Sequence, residues 1–187
     1  MFSAEIERTL RIAERAHRGQ ERKCSDGVPY VLHPIHCALS LARLGQPEHV
    51  VVAAILHDIV EDCEGWTVER VEAEFGTRVA GIVAELTEDK TKSWEERKRL
   101  QVEHVAEMSR DALLVKAADV LHNLSTLVLD LERSADHAAV WGRFNAGRER
   151  TIARSRALVD ALVPHVDPRL GTELEVAMDR LERLEYR

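Results

Sequence analysis

The sequence predicts an all-α fold, a single helical bundle of about eight or nine helices, on the basis of three observations. Apolar residues recur at helical spacing along most of the chain. Leu, Ala, Val, Glu and Arg dominate and aromatic residues make up only 4%, a mixture that favours helices over sheets. No segment alternates convincingly with the period of a strand. The length of 187 residues suits one domain with a sizeable core, so we expect residues 1–187 to form a single domain.

The predicted helices follow from apolar periodicity and from the residues that begin or end a helix. In chain order they cover residues 3–18, 34–44, 47–62, 67–74, 77–87, 94–108, 111–131, 134–162 and 168–184. Residues 19–30 are predicted as a loop because they contain Gly, Asp-Gly and Pro. The helix at 47–62 is apolar nearly all round from Val50 to Val60, so we expect it to be buried.

Several helix ends have recognisable capping residues. Gly45 is placed to end the second helix. Thr67 is a candidate N-cap, and Ser93 followed by Glu96 has the spacing of a capping box. The charged run that follows, residues 95–104, is predicted as a solvated helix face, and Trp94 as a packing residue.

Charge and cysteine usage exclude some classes of protein. The formal net charge of −7 argues against a nucleic-acid-binding surface, although a metal and a few Arg or Lys can still form a local basic pocket. The longest apolar run, Val50–Leu56, is too short to cross a bilayer, and the charged N-terminus lacks the apolar core of a signal peptide. We therefore expect a cytoplasmic protein without a membrane partner, with Cys24, Cys37 and Cys63 reduced.

Four polar residues interrupt the buried helix at 47–62: His57, Asp58, Glu61 and Asp62. On a continuous helix these side chains would share one face. Three carboxylates buried together repel one another and resist desolvation, and a divalent cation would remove that conflict. A buried ion-pair network is the alternative interpretation of the same pattern.

A second polar stripe lies in the apolar helix at 111–131. Lys116, Asp119, Asn123 and Thr126 follow one another at spacings of 3, 4 and 3. Asp119 could supply an oxygen ligand, and Asn123 could hold a substrate group or orient a ligand. Lys116 could pair with Asp119 or meet a phosphate.

A metal at this place would need a further neutral ligand, for which several histidines are candidates. Spacing alone does not choose among His17, His33, His36 and His122. A mixed nitrogen and oxygen set suits Mn, Fe, Zn or Mg with open coordination positions. Such a metal can activate water and polarise phosphoryl oxygens, and an adjacent carboxylate can act as general acid or base.

These residues together resemble a known family. The pattern is His33, then His57-Asp58-x-x-Glu61-Asp62, then Lys116-x-x-Asp119-x-x-x-Asn123. It resembles the HD-domain metal phosphohydrolases, and in particular the hydrolase branch of the RelA/SpoT group. The stretches AHRGQERKCSDGVPYVLHP, TEDKTKSWEERKRLQVEH and WGRFNAGRE resemble that group and its small stand-alone members. The similarity covers about residues 8–162 and leaves the last helix outside.

The resemblance implies a role for each matching residue in a single HD-domain bundle. The implied metal ligands, with manganese as the usual ion, are His33, His57, Asp58 and Asp119. The implied pair that positions or activates the attacking water is Glu61 and Asp62. The implied nucleotide contacts are Arg22, Lys23 and Asn123. The implied reaction removes pyrophosphate from the 3′ position of guanosine tetra- or pentaphosphate.

Other positions depart from the family and keep alternatives open. Cys24 replaces a common Gly, Val120 and Ser125 replace common basic residues, and residues 150–156 lack a common Tyr. These departures touch the nucleotide end of the pocket. The alternatives are a phosphatase for another nucleotide, such as a deoxynucleotide or NADPH, and a non-catalytic metal- or nucleotide-binding HD module.

The apolar stripe of the last helix fits either intramolecular packing or a homo-oligomer.

Overall fold

The computed structural model describes residues 2–23 and 27–185, which form an all-α fold. The α-helices are α1 (Ala4–Ala16), α2 (Leu32–Arg43), α3 (Glu48–Leu56), α4 (Ile59–Asp62), α5 (Val68–Phe75), α6 (Thr77–Leu86), α7 (Trp94–Glu103), α8 (Arg110–Arg133), α9 (His137–Trp141), α10 (Arg148–Leu162) and α11 (Pro168–Glu185). Nine of these helices have seven residues or more, which confirms the predicted fold class and helix number. Within the same residues, extended backbone pairs only at one antiparallel bridge, between Glu21 and Pro29.

The centre of the bundle is α8, which packs against α2, α3, α6, α10 and α11. This helix is long and apolar enough to cross a membrane by length and composition alone, but 56% of its most apolar window is buried. Its buried residues face neighbouring helices of the same chain. The apolar character of α8 is therefore explained by its position in the core.

The predicted helix at 47–62 is not continuous. It ends at Leu56, turns through His57 and Asp58, and resumes as the single turn α4. The His57 ring nitrogen Nδ1 lies 2.8 Å from the carbonyl oxygen of Ala54. In an uninterrupted helix that oxygen would accept a hydrogen bond from the backbone N–H of Asp58. The imidazole replaces this bond, and a side chain inserted into the backbone ladder in this way interrupts a helix.

The predicted helix at 134–162 is also divided, into α9 and α10. Turns separate the two segments, and Gly147, which precedes α10, has a φ of 72°. This left-handed conformation is accessible to glycine without steric cost. The change of chain direction at Gly147 lets α10 begin as a separate helix, which lies beside the cavity described below.

The predicted helix caps are confirmed. Thr67 Oγ1 accepts a hydrogen bond from Arg70 N at 3.3 Å, and Ser93 Oγ accepts one from Glu96 N at 3.2 Å. Cys37 and Cys63 are free thiols in buried positions, whereas Cys24 lies outside the described residues.

The last helix, α11, packs on its own chain. Its fully buried residues are Leu170, Leu174, Met178 and Leu181, and its main partners are α8 and α10. Arg156 of α10 adds polar contacts along the same interface, with carboxylates of Glu175, Asp179 and Glu182 at 2.8–3.0 Å. Intramolecular packing is thus the outcome for the apolar stripe of this helix.

We expect Leu174→Ala to lower the free energy of unfolding by about 3 kcal/mol, because truncating a fully buried leucine leaves a cavity. Val176→Ala is the control, since Val176 lies on the same helix and is 51% exposed; its effect should stay within about 0.5 kcal/mol. Urea unfolding of both variants measures the difference. Equal losses would contradict the docking of α11 on the core.

Candidate metal centre and substrate cavity

Three side chains converge at the junction of α2 with the α3–α4 turn. His33, His57 and Asp58 each offer one ligand atom, and these atoms lie within 4.8 Å of one another. His57 Nε2 is 3.1 Å from Asp58 Oδ2, and His33 Nε2 is 3.6 Å from the same oxygen. The interruption of the helix after Leu56 creates this arrangement, because His57 and Asp58 occupy the turn.

The second ring nitrogen of each histidine is held by a hydrogen bond. His57 Nδ1 lies 2.8 Å from the Ala54 carbonyl, and His33 Nδ1 lies 2.8 Å from Nδ1 of His122. If each Nδ1 carries the proton and donates it to its acceptor, the Nε2 atom of each histidine has a free lone pair that faces the cluster. Such contacts orient histidine ligands in metal sites. His122, one of the histidines that spacing could not rank, thus supports His33 from behind.

This donor set fits a divalent cation. Among the described residues, His57 Nε2 is one of four buried side-chain atoms without a hydrogen-bond partner. Its approach to Asp58 is close in distance but lacks hydrogen-bond geometry. A buried nitrogen without a partner costs free energy, and coordination would satisfy it. Two imidazoles and a carboxylate are donors that borderline first-row cations accept.

Asp119 lies at the edge of this cluster, outside the tightest group. Its Oδ1 is 3.3 Å from His33 Nε2 and accepts a hydrogen bond from Asn123 Nδ2 at 2.6 Å. Its other oxygen, Oδ2, accepts a hydrogen bond from Lys116 Nζ at 3.0 Å. Burial alone would raise the pKa of Asp119, but Lys116, His33 and His57 together outweigh burial and hold that pKa well below its usual value. Asp119 therefore stays anionic beside the cluster.

Burial and charge compete at the His57–Asp58 pair. Burial alone would lower the pKa of His57, but the Asp58 carboxylate outweighs it and raises that pKa to about 9. Burial alone would raise the pKa of Asp58, but its interactions with His57 and His33 together outweigh burial and lower that pKa. Tyr30 also donates a 2.6 Å hydrogen bond to Asp58 Oδ2. Without a cation, these pKa shifts favour an ion pair between a protonated His57 and the Asp58 carboxylate.

The two candidate catalytic carboxylates lie beside the cluster and line the same cavity. Glu61 Oε2 accepts a 3.4 Å hydrogen bond from the backbone N–H of Glu88, and Asp62 Oδ1 accepts one from Lys90 Nζ at 3.1 Å. Burial and then the charge of Glu88 raise the pKa of Glu61. A carboxylate with a raised pKa is better matched to proton transfer near neutral pH.

The nucleotide-contact candidates connect to the cluster through a chain of hydrogen bonds. Arg22 Nη2 donates to Asn123 Oδ1 at 2.6 Å, and Asn123 in turn donates to Asp119. The Arg22 guanidinium carbon is 5.5 Å from the centre of the Tyr30 ring. Lys23 is exposed and lines the same cavity.

All nine predicted site residues line one cavity of about 510 Å³. Its basic lining residues are Arg22, Lys23, Arg97, Lys98, Lys116, Arg143 and Arg154. Its acidic lining residues are Asp58, Glu61, Asp62, Glu88 and Asp119. Basic residues outnumber acidic ones here although the whole chain has a net charge of −7. A cavity of this size and charge suits an anionic small molecule.

Sequence reasoning missed part of this cavity. The run at 95–104 is not wholly solvated, because Arg97 and Lys98 pair with Glu88 and line the cavity, as Trp94 does. Helix α7 is highly charged and buries none of its residues completely, so apolar periodicity could not identify its inner face. Arg154 gave no motif signal either, since its position depends on where α10 begins.

The bundle and its buried His-Asp pair define the chain as an HD domain protein. The HD domain family matches residues 9–149, and the chain belongs to this family. The chain is 45% identical over 127 residues to human guanosine-3′,5′-bis(diphosphate) 3′-pyrophosphohydrolase MESH1, covering 67% of this chain and 70% of the relative. The Drosophila melanogaster protein of the same name is 40% identical over 148 residues, covering 75% of this chain and 82% of the relative.

Solved structures extend the likeness beyond the region matched by sequence. One is a metazoan ortholog of SpoT described as hydrolysing ppGpp and playing a role in starvation responses. It superposes with a TM-score of 0.80 at 35% identity, covering 99% of this chain and 97% of the other. A protein of Listeria monocytogenes EGD-e superposes with a TM-score of 0.71 at 31% identity, covering 86% of this chain and 98% of the other. The likeness to the first structure therefore includes α11.

We expect the metal-free protein to bind Mn²⁺ more tightly as the pH rises from about 6 to 8.5, by up to about tenfold per unit. The raised pKa of His57, about 9, means that its Nε2 carries a proton in this range. A cation must displace that proton, so a lower proton concentration favours binding. Titration of Mn²⁺, followed by the electron paramagnetic resonance signal of the free ion, gives the affinity at each pH.

His57→Gln should lose most of this affinity and its pH dependence, whereas His165→Gln, which removes an exposed histidine, should bind as the wild type does. A wild-type affinity that is constant over this pH range would contradict the assignment of His57 as a ligand.

Proposed function

We propose that this protein is a manganese-dependent hydrolase that removes pyrophosphate from the 3′ position of guanosine-3′,5′-bis(diphosphate). The observation that carries the proposal is the convergence of His33, His57 and Asp58 in a predominantly basic cavity that also holds Glu61. The names of the relatives, at 40–45% identity, supply the substrate class.

In this proposal, the metal is held by the two imidazole Nε2 atoms of His33 and His57 and by the carboxylates of Asp58 and Asp119. Support comes from the unpartnered Nε2 of His57 and from the contact of His33 with both carboxylates. A bound divalent cation would polarise the phosphoryl oxygens and lower the pKa of water. Lys116 keeps Asp119 anionic, and Tyr30 fixes the orientation of Asp58.

Glu61 is proposed as the general base, with Asp62 orienting the attacking water. Glu61 accepts a proton from that water as the water oxygen forms a bond to the 3′ phosphorus. The bond between this phosphorus and the 3′ oxygen breaks, and the 3′ oxygen leaves with the electron pair and receives the proton. The products are GDP and pyrophosphate. The raised pKa of Glu61 supports both transfers, because it makes the carboxylate a stronger base toward the attacking water than an ordinary glutamate.

Arg22, Lys23 and Asn123 are proposed to hold the nucleoside part of the substrate. The chain of hydrogen bonds from Arg22 through Asn123 to Asp119 supports this role, because it fixes the distance between the nucleoside contacts and the metal ligands. Pre-organised contacts of this kind reduce the entropy that substrate binding must otherwise cost.

We expect the purified protein with Mn²⁺ to convert guanosine-3′,5′-bis(diphosphate) to GDP and pyrophosphate, and chelator or Asp58→Ala to abolish this activity. Anion-exchange chromatography of the products, against a panel that includes deoxynucleotides and NADPH, identifies the substrate. Metal-dependent turnover of another panel member alone would replace the substrate assignment. The absence of turnover with every member would leave a non-catalytic module as the function.

We expect Glu61→Gln to retain Mn²⁺ binding but to lower kcat by at least about 100-fold, the usual contribution of a general base. Glu64→Gln is the matched control, since it makes the same change at an exposed position three residues further on. Single-turnover measurements together with metal titration separate chemistry from binding. A kcat for Glu61→Gln equal to that of the control would remove Glu61 from the mechanism.

A further inference from the structure

A group of cations in the cavity flanks the metal centre and is not used by the nucleoside contacts. It consists of Lys98 on α7, Lys116 on α8 and Arg154 on α10. Lys116 contacts Asp119 at 3.0 Å, and Lys98 pairs with Glu88, whose backbone N–H contacts Glu61. All three cations line the same cavity, together with Glu88 and Asp119.

Arg154 is incompletely satisfied within the described part of the protein. Its Nε is buried and has no hydrogen-bond partner, and its guanidinium carbon lies 5.4 Å from the centre of the Trp94 ring. Burial lowers the pKa of Arg154, although the charges of Glu88 and Asp119 act in the opposite direction. A desolvated guanidinium without an acceptor on Nε costs free energy, and an anionic ligand would supply the missing acceptor.

Glu88 is paired with Lys98 and has little remaining capacity for Arg154. Its side chain is 8% exposed and already accepts hydrogen bonds from Arg97, Lys98 and Gln101. Asp119 is engaged by Lys116 and Asn123. The carboxylates of Glu88 and Asp119 are therefore paired with Lys98 and Lys116, which leaves Arg154 as the member of the group that is available to an anion entering the cavity.

We propose that Arg154, Lys98 and Lys116 form a diphosphate subsite that binds the 3′-diphosphate group of the substrate and the pyrophosphate released from it. This inference rests on the proposed function. The cations connect to Asp119 and Glu61, the residues proposed to surround the reacting phosphorus, whereas Arg22 and Asn123 account for the nucleoside. The electron pair of the broken bond moves to the 3′ oxygen, so the role of the cations is to offset the existing charge of the diphosphate and to hold its phosphorus in place for attack by water. Trp94 packs on the guanidinium and limits its motion.

The test uses the two products as separate probes of the two ends of the cavity. With free Mn²⁺ held constant by buffering, pyrophosphate and GDP are each used to inhibit turnover by the full-length protein. We expect Arg154→Met to raise the inhibition constant of pyrophosphate by at least about tenfold, as expected for loss of a charge-assisted contact. The inhibition constant of GDP should change less than about twofold, because its contacts lie elsewhere. Lys98→Met should also raise the inhibition constant of pyrophosphate.

The control Arg150→Met removes the same charge from the same helix. Arg150 is exposed, and its Nε donates to the Ala146 carbonyl at 3.0 Å. This variant should leave both inhibition constants unchanged. Thermal unfolding adds a readout that separates ligand binding from structural support. Arg154→Met without ligand should be at least as stable as the wild type, since it removes a buried charge whose Nε lacks a partner.

Equilibrium dialysis of radiolabelled pyrophosphate against the Mn²⁺-loaded protein tests the subsite without turnover. If the wild type does not hydrolyse the nucleotide but binds pyrophosphate through Arg154, the proposed function fails and the subsite stands. An unchanged pyrophosphate affinity in a folded Arg154→Met variant overturns the subsite, and so does a selective loss of GDP inhibition. If Arg154→Met does not fold, Arg154→Lys is measured by the same dialysis. An unchanged affinity in that variant, which loses the planar guanidinium, overturns the assignment of Arg154 to the subsite.

Discussion

The structure depends on the burial of His57 and Asp58 in a turn between two helical segments. The His57 imidazole contacts the Ala54 carbonyl at the point where α3 ends, in place of the backbone hydrogen bond that would continue the helix. The His57 and Asp58 side chains project into one cavity together with His33. The resulting excess of buried polar atoms is partly satisfied by Tyr30 and His122, while His57 Nε2 has no hydrogen-bond partner among the described residues. The same interaction thus ends a helix and creates the ligand cluster.

Charged side chains of both signs line the cavity around this cluster. Carboxylates lie at the candidate metal centre, and cations from α7, α8 and α10 lie next to them. Lys116 connects the cations to the candidate metal centre through its hydrogen bond to Asp119. Glu88 connects them to Glu61, because its side chain pairs with Lys98 and its backbone N–H donates to Glu61. An acidic protein can in this way present a local excess of positive charge to a small anion. Long-range repulsion by the net charge of −7 is offset at short range, because interactions in a desolvated cavity are screened less than those at the surface.

The helical fold and much of the candidate site were predictable from local patterns. Periodicity identified the nine long helices, and Thr67 and Ser93 cap their helices as their sequence context predicted. The polar residues inside two apolar helices identified Asp58 and Asp119, and the family resemblance added His33. The two divided helices were predicted wrongly as continuous, because a carbonyl taken by a side chain and a turn before Gly147 leave little trace in apolar periodicity. The roles of the individual site residues remain proposals.

The sequence by itself determined the fold class, the polar positions within buried helices and the membership of an HD domain family. The first two are properties of local spacing, in which a residue and its neighbours three or four positions away are sufficient. The family membership follows from the order in which such local patterns occur along the chain. Only the tertiary structure decided that Lys98 and Arg154, 56 residues apart in sequence, line the cavity that contains His57 and Asp58. The physical reason is that α7 is charged on more than one face, so its orientation is set by packing against α10 and by the buried Glu88 rather than by its own pattern.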